Sequence, residues 1–188
     1  MIRWLCVGVM ALPLAACVST PAPQYQPSID NTELLLQQNR RLAVGEFSAA
    51  AGVENHALSA RGVQIRGGSD GTYATFIHDA VVSELQRAGS YDQSAPAQLT
   101  ATLTRNTLNA GVTTGSASIG ADFTLERNGE VIYRQSFVEE HRWDSSFAGI
   151  VASSAAIDNY GATVQLLLKR LFSDPAFIAA LASAAPAR

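Results

Sequence analysis

Leu99-Thr-Ala-Thr-Leu-Thr104, Ala117-Ser-Ile-Gly-Ala-Asp-Phe-Thr-Leu125 and Val131-Ile-Tyr-Arg-Gln-Ser-Phe137 alternate apolar and polar side chains. Side chains of an extended chain point to opposite faces with a period of two, so each run reads as a half-buried strand. Leu99, Ala101, Leu103, Ala117, Ile119, Ala121, Phe123 and Leu125 form the inward set. Thr100, Thr102, Thr104, Ser118, Asp122, Thr124, Arg134 and Ser136 form a polar outward set, either plain solvated surface or a docking face. Gly111 to Gly115 turns the chain between the first two runs, and Arg127-Asn128-Gly129 between the last two. A two-residue Asn-Gly turn places Phe123 opposite Arg134 and Ile119 opposite Val138. A three-residue loop pairs Leu125 with Val131, Phe123 with Tyr133 and Ile119 with Phe137. Register follows the buried face, so the three-residue loop is expected, with Gly129 at positive φ.

Outward from this block, Thr72 to Ala88 carries Tyr73, Phe76, Ile77, Ala80, Val81, Leu85 and Ala88 at three- and four-residue spacing, the stripe of an amphipathic helix. Ser69 or Asp70 can cap its start, and Gly89 can end it in the left-handed conformation. Phe147 to Phe172 reads as a long helix with the stripe Phe147, Ile150, Val151, Ile157, Tyr160, Val164, Leu167, Leu168 and Leu171. Gly149 and Gly161 each cost it ~1 kcal/mol relative to Ala, which suggests close packing on the sheet. Ser173-Asp174-Pro175 stops it and starts a short helix, Pro175 to Leu181. Upstream, Arg41 to Phe47 reads as a strand, Thr32 to Asn39 as a short helix, and 49–71 as a loop with an extended piece at Gly62 to Arg66. The fold expected is α+β: a four-stranded, mostly antiparallel sheet with two helices on one face, in the order β-α-β-β-β-α.

The N-terminus sets the compartment. Arg3 precedes the apolar run Trp4 to Leu14, eleven residues interrupted by Gly8 and Pro13. That is too short to cross a ~30 Å hydrocarbon core as a helix, but it suits the apolar region of an export signal. Leu14-Ala-Ala-Cys17 follows and resembles the lipobox of bacterial lipoproteins. The resemblance implies cleavage before Cys17, diacylglycerol on its sulfur and an acyl chain on the new amino group. With two or more chains and ~0.8 kcal/mol per buried CH₂, such an anchor is firm. Val18 and Ser19 stand where enteric inner-membrane lipoproteins carry Asp, so the resemblance implies the outer membrane, periplasm-facing. Four segments are expected: signal peptide 1–16; lipidated Cys17 with a Pro-rich tether, 17–31; one periplasmic domain, 32–182; and a disordered tail, 183–188. A 14-residue tether containing Pro21, Pro23 and Pro27 could reach about 45 Å at ~3.3 Å per residue.

Cysteine use agrees with this plan. The chain has two cysteines. Cys6 leaves with the signal and Cys17 carries lipid, so the mature domain has no thiol for a disulfide, a nucleophile or a metal. Net charge is −3, without the basic clusters of a nucleic-acid binder. No HExxH, CxxC or acidic calcium loop is present, so neither metal nor cofactor is expected. The glycines of 62–71 lack the order that cradles a phosphate, and Gly115-Ser-Ala-Ser-Ile-Gly120 is a strand rather than a nucleophile elbow. His78 falls off the helix stripe and reads as solvated. The one polar cluster with an aromatic is Glu139-Glu140-His141-Arg142-Trp143-Asp144. Glu139, Glu140, His141 and Trp143 are the candidate binding residues. They could do acid–base work, or simply form a charged strand end with Trp143 over the core edge.

Several segments together resemble a group of envelope lipoproteins: the YajG-like and LptE-like proteins and the auxiliary lipoproteins of ABC-type lipid transport. These are the lipobox, the early strand Arg41-Leu-Ala-Val-Gly-Glu-Phe47, the helix ending Leu85-Gln-Arg-Ala-Gly89, the hairpin at Asn128-Gly129 and the helix ending Leu168-Lys-Arg-Leu-Phe-Ser-Asp-Pro175. The resemblance implies a non-enzymatic accessory or binding subunit with a protein partner in envelope assembly or lipid transport. An envelope-polymer binder, of peptidoglycan or lipopolysaccharide, and a membrane-attached hydrolase or acyltransferase are the alternatives.

Overall fold

The computed structural model describes residues 19–21 and 24–183. The expectations placed on 1–16, on lipidation of Cys17 and on 184–188 fall outside the described residues. The elements are β1 (Ser19–Pro21), α1 (Ile29–Gln38), β2 (Ala43–Ala49), β3 (Ala57–Ala60), β4 (Val63–Arg66), α2 (Tyr73–Arg87), β5 (Ala97–Ala110), β6 (Thr114–Arg127), β7 (Glu130–Asp144), α3 (Gly149–Phe172) and α4 (Pro175–Ser183).

β2, β5, β6 and β7 form a four-stranded sheet in that order. Its inner face carries Leu99, Ile119, Phe123 and Leu125, all fully buried. α2 covers it with Phe76, Ile77, Ala80 and Val81, and α3 with Val164, Leu167, Leu168 and Leu171. The fold is α+β, with α2 and α3 on one face as expected.

The sheet is mixed, however, and the element order is longer than the sequence suggested. β2 runs parallel to β5, while β5–β6 and β6–β7 are antiparallel. A parallel neighbour requires a crossover; here β3, β4 and α2 supply it. β3 and β4 are an antiparallel hairpin of which the sequence had shown one arm. Arg61 (φ 54°) and Gly62 (φ 86°) turn it in the left-handed region, as a two-residue hairpin loop requires. β1 adds to the hairpin in parallel, so a three-stranded sheet β1-β4-β3 stands beside the main one.

The β6–β7 register differs from the expected one for a physical reason. Asn128 (φ 52°) and Gly129 (φ 83°) form a two-residue turn, with Arg127 opposite Glu130 and Glu126 opposite Val131. Continued unbroken, that ladder would send Tyr133 and Phe137 outward. Ile132 is instead an extra residue, and beyond it Leu125 pairs with Tyr133 and Ala121 with Phe137. A bulge thus satisfies both the turn chemistry and the buried face. The expected three-residue loop is therefore replaced by a two-residue turn followed by a bulge.

Two further corrections concern helix ends. Thr72 caps α2, its hydroxyl accepting from the Thr75 amide at 3.2 Å, while Asp70 in turn accepts from the Thr72 hydroxyl and amide. α3 begins at Gly149, and the first members of its expected stripe point to solvent: Phe147 is 83% exposed, Ile150 85% and Val151 53%. Ala152, Ser153 and Ala156 are buried in their place. Gly149 and Gly161 have open space where a Cβ would stand, so neither serves close packing.

The expected tether is also part of the folded domain for much of its length. Backbone 19–21 pairs with β4. Tyr25 is buried and Ser28 caps α1, accepting from the Asn31 amide. Gln165 donates to the Gln26 carbonyl at 2.8 Å. The domain therefore starts before residue 32. The aromatic Tyr25 and the capping Ser28 gave these residues something to bury and something to bond, which proline content alone had masked.

Candidate functional site

The outer face of the main sheet is a shallow polar groove of about 510 Å³ lined by Glu46, Ser48, Thr100, Thr102, Asp122, Thr124 and Arg134. Strand register builds it in rows. Ser48 on β2 lies opposite Thr102 on β5, Thr102 opposite Asp122 on β6, and Asp122 opposite Ser136 on β7. One residue pair further along, Thr100, Thr124 and Arg134 form a second row. Within the first row the Ser136 hydroxyl donates to Asp122 Oδ1 at 2.6 Å, and the Ser48 and Thr102 hydroxyls are 3.4 Å apart. The face offers hydroxyls, carboxylates and one guanidinium at fixed strand spacing, suited to polar recognition. Thr100, Thr102, Asp122, Thr124 and Arg134 lie on this face as period-two alternation predicts; Glu46 and Ser48 join them because β2 sits beside β5.

The Glu139–Trp143 candidates do not converge. Alternation along β7 puts Glu139, His141 and Trp143 on the helix side and Glu140 on the outer side. His141 Nε2 lies 2.9 Å from Asn159 Oδ1 of α3, and its ring stacks on Trp143 at 5.9 Å. Glu139 approaches Arg170 at 3.8 Å, and Glu140 pairs with its neighbour Arg142 at 2.7 Å. Trp143 lies over Gly115, where a Cβ would overlap the indole. His141 and Glu139 tie β7 to α3, the Glu140–Arg142 pair stays within β7, and Trp143 closes the sheet end over Gly115. Among the described residues, no cluster of three or more His, Cys, Asp or Glu could hold a metal.

A buried polar cluster escaped the sequence reading. Glu84 is fully buried in α2. Its Oε1 accepts from the Tyr25 hydroxyl (2.7 Å), the Ser28 amide (2.9 Å) and the Asn31 side-chain amide (3.0 Å). Asn31 also donates to the Gln165 carbonyl at 3.1 Å. Burial, reinforced by the Glu84 charge, pushes the Tyr25 hydroxyl far above its ordinary range. The cluster clasps 25–31 between α2 and α3. Its signal was present: Glu84 stands four residues after Ala80 and three after Val81, on the apolar stripe.

No family model matches the chain, and no curated protein matches it. Solved structures do. A Xanthomonas campestris protein of the DUF330 family is similar at TM-score 0.57 and 17% identity, over 89% of this chain and 95% of the other. A Caulobacter crescentus CB15 chain described as a lipoprotein follows at TM-score 0.46 and 16% identity, over 84% and 98%. A minor lipoprotein of Acinetobacter baumannii gives TM-score 0.40 and 10% identity, over 73% and 90%. At such identities the first of these supports the fold, and the likeness extends no further.

Proposed function

We propose that this chain is a lipoprotein held through Cys17 at the periplasmic side of the outer membrane, where it serves as a non-enzymatic accessory subunit in envelope assembly or lipid transport. The observation that carries the reading is the order Arg3, Trp4 to Leu14, Leu14-Ala-Ala-Cys17, directly ahead of a folded domain. The polar groove is the surface offered to a protein partner. A non-enzymatic role is supported by the way Glu139, Glu140 and His141 are used: each is engaged in a structural contact, and they lie on two faces of β7. No helix among the described residues is long and apolar enough to cross a membrane.

The test is in vivo crosslinking of a chain tagged at its C-terminus, paired with the same chain carrying Arg134→Glu. The expected result is one defined envelope complex captured by the wild type and lost with the variant. Capture of peptidoglycan or lipopolysaccharide in its place would turn the reading to a polymer binder. A crosslinking pattern insensitive to the groove charge would remove the groove from it.

A further inference from the structure

We propose that Phe147, Ile150 and Val151, at the start of α3, form an apolar knob that inserts into the lipid surface beside the Cys17 anchor, so that the domain lies against the bilayer in one orientation. The proposal rests on the anchor reading given above.

The knob is made by an inversion of helix patterning. Across the first turns of α3 the small residues Ala152, Ser153 and Ala156 face the protein, and the large apolar residues face out. The small residues let α3 approach the β3–β4 hairpin: Ser153 Oγ donates to the Ala60 carbonyl at 3.1 Å, and Ala156 packs with Ala60, Ile65 and Ala110. Scattered exposed apolar residues need no explanation, but a contiguous patch marks an interaction site. Val112, 45% exposed, lies on a turn that is bonded to the segment before the knob, through the Ser145 amide and the Thr113 carbonyl at 2.9 Å.

The occupant follows from where the chain enters the fold. β1 runs parallel to β4 with Ser19 opposite Gln64, so its N-terminal end lies toward the Arg61–Gly62 turn. Arg61 at that turn donates to the Phe147 carbonyl at 3.1 Å. Cys17 is two residues ahead of Ser19, and two residues reach no more than about 7 Å. The acyl chains and the apolar knob therefore emerge at one end of the molecule. A lipid surface is the one apolar partner that the anchor itself holds there. Penetration is shallow. α3 has no side-chain cap at Ala148, and its free amides need water or headgroup oxygens, which the hydrocarbon core lacks. Apolar side chains at the headgroup boundary with polar backbone above them is the arrangement of an interfacial anchor.

The mature chain has no thiol besides the acylated Cys17, so single labels are clean. The full lipidated protein carrying Phe147→Cys, Ile150→Cys or, at the far end of the sheet, Glu130→Cys is labelled with an environment-sensitive fluorophore. It is then reconstituted in phosphatidylethanolamine–phosphatidylglycerol vesicles. Labels at 147 and 150 are expected to be quenched by shallow spin-labelled lipids and to be several-fold less accessible to aqueous iodide than the label at 130. Equal iodide access at all three positions, in protein whose intact mass shows acylation, would overturn the knob and leave the anchor standing. Protection from iodide without lipid quenching would mean that another protein surface covers the patch, and also overturns it. Protein without acyl mass overturns the anchor, and the knob proposal with it.

Discussion

Replacing Glu84 by alanine leaves the Tyr25 hydroxyl, the Ser28 amide and the Asn31 side-chain amide without their common acceptor. A buried donor left unpaired costs ~1–3 kcal/mol, so we expect Glu84→Ala to lose roughly 3 kcal/mol in urea unfolding, with faster proteolysis inside 24–31. An unchanged midpoint would show that the cluster contributes nothing to the fold. Tyrosines give a second prediction. Burial raises Tyr25, Tyr73, Tyr133 and Tyr160 above the ordinary tyrosine range, with Glu84 adding to the effect at Tyr25 and Asp174 at Tyr133. In the unfolded chain the same hydroxyls lose protons near pH 10. The folded state then binds more protons than the unfolded one, so stability is full below pH 10 and falls as pH rises above it. Phenolate absorbance from these four should appear together with unfolding, whereas gradual ionisation in a folded protein would contradict the burial. At Gly115 the Trp143 indole fills the space of a side chain; Gly115→Ala should cost ~1–3 kcal/mol, read as a lowered melting temperature. Single residues were unevenly legible. The inward set of β5 and β6 could be read from period two alone. The burial of Glu84 was marked by its place on the apolar stripe, but its role was not, because Tyr25, Ser28 and Asn31 arrive from more than fifty positions away.

Among elements, α2, β6 and the central parts of β5 and β7 emerge from periodicity, because there one face packs on the core. α3 obeys the same rule from Tyr160 onward and departs from it over its first turns. There the inner face meets a hairpin tip at close range and takes small residues, while the large ones turn outward. Gly161 shows that low propensity need not mean packing: nothing stands within 4 Å of its absent Cβ. Gly161→Ala is therefore expected to stabilise the protein by up to about 1 kcal/mol, measured as a higher urea midpoint; destabilisation would reveal a contact at that position. The β6–β7 hairpin gives a second lesson at this scale. Asn128-Gly129 and the alternation of β7 each carried a true instruction, and the single extra residue at Ile132 reconciles them. A bulge leaves no compositional mark, so the choice of loop length was not legible.

For the molecule as a whole, the α+β class and the coverage of one sheet face by α2 and α3 were legible, because both follow from patterns local to each element. The parallel pairing of β2 with β5 and the small sheet of β1, β3 and β4 were not. The β2–β5 and β1–β4 pairings join segments far apart in sequence, and strands of three or four residues carry too few positions to establish a period. The same limit hid the packing of 24–31, which changes the expected geometry from a domain on a long leash to one entering its fold two residues after Cys17. We propose separate tasks for the polar groove and the apolar knob, one for a protein partner and one for the lipid surface. All of this depends on the anchor, and digestion of the protein from native membranes tests it most directly. Trypsin releases the N-terminal peptide ending at Arg40, the first cleavage site after Cys17. Mass spectrometry of that peptide should find it starting at Cys17 and carrying diacylglycerol and an amide-linked acyl chain. A peptide with an unmodified Cys17, or one still joined to the residues before it, would contradict the account.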